Sequence, residues 1–231
     1  MRTFVLGIFY SVLLILIIPF LLICFLAGMK DPLIRFGQSA VRLGCRFLGI
    51  KVAISGLERL DPATAYVFMA NHLSFIDGPI AATAIRRPVR IILKKSIFRI
   101  PVLGIGMRYV GFVPVDRKGV KGGQKSIRRA AELLIEKGYS FLVFPEGTRS
   151  RDGNIQPFRR GGFFLALDGR APIVPMTIKG SFKIMPKGQW HAEKGVVRIV
   201  FHDPVPVEGY TPENMGELME KVRAAIVSAG D

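Results

Sequence analysis

The sequence predicts one α/β domain with a mixed, largely buried β-sheet flanked by helices, preceded by an N-terminal membrane-anchoring helical segment. Three observations predict it. After Lys51, seven short apolar runs alternate with helical patterns. Ahead of them, Thr3 to Met29 is a stretch of 27 residues without a charge. The length of 231 residues suits one domain plus a short appendage better than two domains. The expected division is an anchor and amphipathic helix over 1–50 and a globular domain over 51–231.

The uncharged stretch comes first. As a helix it would be roughly 40 Å long at about 1.5 Å per residue, against a hydrocarbon core of about 30 Å. A secretory signal would carry a much shorter apolar region and a small-residue cleavage site, which Leu26-Ala27-Gly28 does not provide. Pro19 lies inside the stretch and would kink a helix. A spanning helix and a hairpin dipping into one leaflet both fit. Lys30, Arg35, Arg42 and Arg46 follow the stretch and only Arg2 precedes it. That asymmetry places the main domain on the cytoplasmic side, at the inner membrane if the source is bacterial. Asp31 to Ile50 then reads as an amphipathic helix, with Leu33, Phe36, Ala40, Leu43 and Phe47 at spacings of three and four. It either packs on the domain or lies on the bilayer with its arginines near lipid phosphates.

The expected strands are Val52–Ser55, Tyr66–Ala70, Val89–Leu93, Phe112–Val115, Ser140–Phe144, Ile173–Ile178 and Val196–Phe201. Most are continuously apolar, as strands covered on both faces should be. The expected helices are Pro79–Ile85, Lys121–Lys137, Gly162–Ala166 and Pro212–Ser228. The last is read with Thr211 as N-cap and Pro212 in its first turn. Gly138 stands where a helix-ending glycine belongs.

Composition removes several function classes. Half of the residues are hydrophobic, which excludes a disordered polyelectrolyte. Cys24 and Cys45 are the only cysteines, which excludes a disulfide framework and a cysteine-based zinc site. Lys and Arg number 33 against 17 Asp and Glu, a net charge of +16. From Arg86 to Arg129 there are 13 Lys or Arg and one acid, Asp116, so most of the net charge lies in 44 residues. Nucleic acid would explain the charge but not the 27-residue apolar stretch, and the chain has one Trp for stacking. An anionic membrane surface or an anionic small ligand fits both features.

Three segments could carry chemistry. Asn71-His72-Leu73-Ser74-Phe75-Ile76-Asp77 follows an apolar strand and precedes a helix. Five residues on a straight helix would turn Asp77 away from His72. In a strand-to-helix loop, Asp77 could reach back and hold one imidazole nitrogen, leaving the other as a general base. Equally, Asp77 could only cap the helix. Phe144-Pro145-Glu146-Gly147-Thr148-Arg149-Ser150 ends another strand. Gly147 allows close backbone approach, and Thr148 and Arg149 offer donors that suit phosphate. Glu146 beside a phosphate would serve to orient an arginine or bind a substrate hydroxyl. The alternative is a tight turn with a surface ion pair. Gly111-Phe112-Val113-Pro114-Val115-Asp116-Arg117 closes a third strand with an arginine, weak evidence alone.

Taken in order, the segments resemble the glycerolipid acyltransferase family, which includes the 1-acyl-sn-glycerol-3-phosphate (lysophosphatidic acid) acyltransferases. The family's Asn-His with an Asp five residues after the His matches at Asn71, His72 and Asp77. Its Gly, apolar strand and Arg match at Gly111, Phe112 and Arg117. Its Phe-Pro-Glu-Gly-Thr-Arg-Ser matches from Phe144 to Ser150, and its apolar strand around a Pro matches Ala171 to Pro175. Lys95 ahead of Pro101 and Gly104, and Phe158 to Gly161, are lesser matches. The resemblance covers about residues 50–210 and makes 51–231 an acyltransferase domain.

The resemblance implies acyl transfer from a thioester to the free hydroxyl of a lysophospholipid, giving phosphatidic acid from 1-acyl-sn-glycerol-3-phosphate. His72 and Asp77 would be catalytic. Lys95, Arg117, Glu146, Gly147, Thr148 and Arg149 would bind substrate. No metal or cofactor is expected. The acyl donor would be acyl-CoA or acyl carrier protein, and the partners the membrane lipid acceptor, that donor and the anionic membrane surface. Glycerol-3-phosphate, a lyso-ornithine lipid or another lysophospholipid are alternative acceptors. Ser74, Cys24 and Cys45 are poor nucleophile candidates, and backbone N–H groups near Val174–Pro175 or Gly147 are the oxyanion-donor candidates.

Overall fold

The computed structural model describes residues 2–116 and 120–229. Helix α1 (Arg2–Leu26) and helix α2 (Asp31–Leu48) precede strand β1 (Ile50–Ser55) and strand β2 (Val67–Ala70). Helix α3 (Asp77–Ala84), β3 (Val89–Lys94), a 3-10 turn (Lys95–Arg99), α4 (Leu103–Tyr109) and β4 (Val113–Val115) follow. Next come α5 (Val120–Lys137), β5 (Ser140–Val143), α6 (Gly161–Asp168) and β6 (Ile173–Lys179). The chain closes with α7 (Ser181–Ile184), β7 (Gly195–Phe201) and α8 (Met215–Ser228). All seven expected strands are present, within two residues at each end.

The seven strands form one sheet in the order β1-β7-β6-β2-β5-β3-β4. Every pairing is parallel except β6 with β7. The sheet is thus mixed, as its apolar runs predict. Strands β2 and β5 are buried along their whole length, and two clusters of buried side chains cover the two faces. Edge strand β1 is exposed at most positions. The topology has one consequence for function. Strands β6, β2, β5, β3 and β4 run in the same direction, so the loops that follow them leave one common edge, where open α/β sheets place their ligands.

Some boundaries differ from expectation for identifiable reasons. Helix α3 begins two residues before Pro79. Proline is tolerated there because an N–H in the first turn has no helical partner. Helix α8 begins at Met215, not Pro212. The Asn214 carboxamide bonds back to the Thr211 N–H at 2.6 Å and to the Gly209 carbonyl at 3.2 Å, which holds 211–214 as a turn. Helix α4, with seven residues and two glycines, is too short to show a helical period. Gly138 has φ +62°, as a helix-ending glycine should.

The N-terminal residues form one helix that continues through Pro19, so a hairpin within them is not what forms. Among the described residues no helix is long and apolar enough to cross a membrane. Helix α2 packs on the domain, but on a face rotated from the expected one. Leu33, Ile34, Gln38 and Gly44 are buried, while Leu43 and Phe47 are exposed. Gln38 donates to the carbonyls of Ala82 and Arg87 at 2.8 and 2.9 Å, taking up carbonyls in and just after the last turn of α3.

Candidate active site

The first segment sits where β2 ends. Asn71 is buried and pairs with the backbone of Ile178 in both directions. Its Nδ2 donates to the Ile178 carbonyl at 2.9 Å and its Oδ1 accepts from the Ile178 N–H at 2.7 Å. This side chain continues the β2–β6 pairing by one more rung and fixes where the chain turns. His72 follows at the edge, its side chain 17% exposed.

Asp77 is fully buried as the first residue of α3. Its Oδ2 accepts the N–H groups of Leu73 and Ser74, both at 2.6 Å, and lies 3.1 Å from His72 Nδ1. The strand-to-helix loop thus brings together the two residues that a straight helix would separate. Asp77 caps the loop amides and also holds the imidazole. A carboxylate oxygen that accepts two backbone N–H groups is an acceptor for Nδ1 as well, which leaves Nε2 as the ring nitrogen not engaged by Asp77. Asp77 Oδ1 is buried and has no hydrogen-bond partner among the described residues. The His72 ring stacks on Phe144, with centroids 4.1 Å apart. Ser74 is fully buried and donates from Oγ to the Met185 carbonyl at 2.6 Å, a structural tie.

Strand β5 pairs with β2, Met69 opposite Val143, so the segment after β5 emerges beside His72. Glu146 is buried there. One carboxylate oxygen accepts the His72 N–H at 2.6 Å and the other the Gln156 N–H at 2.8 Å. It therefore clamps the histidine loop to the 151–160 loop, whereas the sequence suggested an arginine or a substrate hydroxyl as its partner. Burial raises its pKa to about 7, the nearby Asp77 carboxylate adds to the rise, and the two backbone hydrogen bonds oppose it. Ser150 N–H returns to the His72 carbonyl at 2.9 Å and closes the arrangement.

Gly147 has φ +71°, and a Cβ there would lie 3.0 Å from Arg159 Cδ, so glycine serves both the turn and the close approach. Its N–H donates to the Phe144 carbonyl at 3.0 Å and is not free for an oxyanion. Pro175 has no N–H, and Val174 lies within the β2–β6 ladder. The Gly147 and Val174 N–H groups are thus both taken up within the fold. Thr148 is exposed and Arg149 half-buried, with its guanidinium 5.4 Å from the centre of the Phe75 ring. Lys95 is exposed in the 3-10 turn after β3, at the same edge. Arg117 lies outside the described residues.

Sequence reading missed Lys187. Its Nζ lies 3.3 Å from Thr148 Oγ1 and 3.2 Å from the Arg149 carbonyl. A single β-bridge between Ser74 and Pro186 carries it there. No local pattern marks such a contact, because its partners are almost forty residues away. Conversely, two cations of the basic stretch are tied to the domain, Arg90 buried and Arg87 half-buried. Arg90 is 2% exposed, donating to the Val110 carbonyl at 3.1 Å and to Asp31 at 2.7 Å, with its guanidinium 3.3 Å from the centre of the Tyr139 ring. Arg87 is spent on the carbonyls of Asp61 and Thr64.

A model of the acyltransferase family matches residues 51–179, from β1 to the end of β6. The chain belongs to the acyltransferase family. It is 39% identical over 157 residues to a chloroplastic 1-acyl-sn-glycerol-3-phosphate acyltransferase of Brassica napus, a match covering 67% of this chain and 45% of that one. It is 28% identical over 180 residues to a human 1-acyl-sn-glycerol-3-phosphate acyltransferase alpha, covering 78% of this chain and 64% of that one. The chain spans about half the length of the first of these curated relatives and under two thirds of the second. The crystal structure of the 1-acyl-sn-glycerophosphate (LPA) acyltransferase of Thermotoga maritima superposes with a TM-score of 0.86 at 24% identity, covering 99% of this chain and 92% of that one. That likeness places this acyltransferase chain in the same fold. Among the described residues no group of His, Cys, Asp and Glu could hold a metal ion.

Proposed function

We propose that this acyltransferase moves an acyl chain from an acyl thioester to the free sn-2 hydroxyl of 1-acyl-sn-glycerol-3-phosphate, giving phosphatidic acid. The observation that carries the reading is the 3.1 Å contact of His72 Nδ1 with buried Asp77, at a sheet edge where Thr148, Arg149 and Lys187 gather. His72 Nε2 accepts the hydroxyl proton as the substrate oxygen attacks the thioester carbonyl carbon. The C–S bond of the tetrahedral intermediate then breaks, and the imidazolium returns the proton to the departing thiolate. Asp77 holds the tautomer and stabilises the imidazolium. The substrate oxygen is the nucleophile, so no acyl-enzyme forms. The thioester is already activated, so the reaction asks for no cofactor.

Arg149, Lys187 and the Thr148 hydroxyl hold the acceptor's phosphate, with Lys95 in the turn after β3 and Arg117 contributing. Gly147 makes the turn and lets Arg159 pack close beside it, and Glu146 acts by holding the His72 loop. Fixing the phosphate sets the hydroxyl against Nε2, which is catalysis by positioning. The donor, acyl-CoA or acyl carrier protein, is anionic and meets the remaining basic surface. Helices α1 and α2 keep the domain at the cytoplasmic face of a membrane, where the acceptor resides.

The test is an assay of the purified chain with lysophosphatidate, glycerol-3-phosphate and lyso-ornithine lipid, each offered with both donors. Lysophosphatidate should be acylated fastest. Faster turnover of another acceptor overturns the acceptor assignment, and no turnover of any overturns the activity.

A further inference from the structure

The segment from the end of β3 to α4 leaves the edge of the candidate site carrying apolar side chains that are exposed among the described residues. Ile100 is 45% exposed, Leu103 36% and Ile105 70%. Phe75, on the histidine loop at the same edge, is 60% exposed. Lys94, Lys95, Arg99 and Arg108 are exposed around them, and the sequence holds no acid between Arg86 and Val115. Isolated exposed apolar residues are ordinary, but a group of large ones rimmed by a single sign of charge marks an interaction surface.

The backbone is shaped to present these side chains. Val102 has φ 61° and ψ −57°, and the Leu103 N–H bonds to the Pro101 carbonyl at 2.6 Å. This is a γ-turn of the rare, strained hand, centred on a β-branched residue. Behind it, a Cβ on Gly104 would lie 2.2 Å from the Phe98 carbonyl oxygen, so the turn is folded tightly on itself. Strain of this kind persists where the surroundings impose it, and here it turns the apolar residues outward.

Contacts with α1 indicate what the surface meets. Leu21 approaches Gly106, and the Tyr109 hydroxyl donates to the Cys24 carbonyl at 2.6 Å. Both numbers rise together, so α1 and α4 lie side by side in the same direction. Residues 2–16 of α1 therefore extend beyond the start of α4, away from the sheet on its catalytic side, for roughly 20 Å at about 1.5 Å per residue. Thr3 to Leu26 holds no charge.

We propose that residues 99–105 form a membrane wedge that enters the headgroup and upper acyl layer of an anionic bilayer beside α1, with Lys94, Arg99 and Arg108 on the lipid phosphates. The wedge sets the height of His72 above the bilayer, so that a lysolipid presents its headgroup to the site while its acyl chain stays in the membrane. It takes its orientation from the bilayer reading of α1 given above.

A tryptophan probe tests this in the full chain. Exposed Trp190 is replaced by Phe, and a single Trp is introduced by Ile105→Trp or, as control, Ile135→Trp. Ile135 is 63% exposed near the end of α5, at the opposite edge of the sheet. With phosphatidylcholine–phosphatidylglycerol vesicles, the probe at 105 should shift to the blue and lose emission when the lipids are brominated high in the acyl chain. The probe at 135 should do neither. A chain that sediments with vesicles while the probe at 105 stays unquenched overturns the wedge alone. A chain that does not sediment with vesicles overturns both the wedge and the bilayer reading of α1. Equal quenching at 105 and 135, or a blue shift at 105 in buffer without lipid, also overturns it, the last assigning the face to a second copy of the chain.

Discussion

The two sides of the site are built in opposite ways. On the base side, Asn71, Asp77 and Glu146 are buried, and between them they make seven hydrogen bonds of 2.6–3.1 Å to backbone groups and to His72. On the cation side, Thr148 and Lys95 are exposed, Arg149 and Lys187 are half-buried, and Lys187 rests on two neutral oxygens at 3.2 and 3.3 Å. The difference suits the tasks proposed for the two sides. A general base must meet one proton at hydrogen-bond distance, and small misplacements cost rate steeply. A phosphate presents several equivalent oxygens, so mobile cations can find it and share its charge. Changes on the base side should therefore act on kcat, and changes on the cation side on KM for the acceptor.

The largest effect expected is from His72→Ala, which removes the proposed base. Steady-state kinetics on vesicle-presented lysophosphatidate should show kcat lower by roughly 10²–10⁴-fold. The far-UV spectrum and thermal midpoint should stay close to the parent's, because the loop is held by Asp77 and Glu146 through backbone N–H groups that alanine keeps. Near-normal kcat would break the assignment of the base side altogether. Next is Arg149→Ala. Loss of a charge-assisted contact should raise KM for lysophosphatidate by about 10–100-fold, with kcat and the donor's KM changing far less. A rise confined to the donor's KM would move the phosphate elsewhere.

The base side was also the more legible in sequence. Asn71, His72 and Asp77 lie within seven residues, and a strand-to-helix loop is a local prediction. The seven strands were legible for the same reason, since buried parallel strands are continuous apolar runs. Glu146 was legible as a residue but not as a clamp. Its partners, the N–H groups of His72 and Gln156, are set by the pairing of β2 with β5, which no local pattern encodes. Lys187 was invisible because one β-bridge at Ser74 delivers it. The rotated face of α2 was misread because Gln38 is buried by bonds to α3 and beyond, a polar residue where periodicity looks for apolar ones. Arg87 and Arg90 counted toward a basic surface in sequence, yet both are tied up by backbone and side-chain contacts.

Glu146 tests whether the clamp belongs to the base side. In Glu146→Gln one end of the amide becomes a donor and faces a backbone N–H, so one bond is lost and a buried donor is orphaned, costing about 1–3 kcal/mol. We expect kcat to fall by about 10-fold with little change in KM for the acceptor. The pH dependence has a definite sign. Burial raises the folded-state pKa to about 7 from the ordinary 4.5, so the stability tied to the proton is fully present below about 4.5 and is lost as pH rises through about 7. The thermal-midpoint advantage of the parent over Glu146→Gln should therefore narrow between pH 5 and pH 8. A widening gap would mean that the ionised carboxylate is the form that holds the loop.

Lys187 gives the smallest and sharpest test. Its ammonium is a mobile point charge on a flexible stem, without the bidentate fork of Arg149. It also sits where water still screens it, so its share of phosphate binding is modest. Lys187→Ala should raise KM for lysophosphatidate about 3–10-fold, with Lys187→Arg recovering most of the loss. A lyso-acceptor without a phosphomonoester should be turned over equally by parent and variant. Raising the salt concentration should shrink the difference, because screening weakens the parent's contact and leaves nothing to weaken in the variant. If instead kcat falls while KM holds, Lys187 acts through the Ser74–Pro186 bridge on the histidine loop, and the division between a rigid base side and an adaptable cation side does not run where it is drawn here.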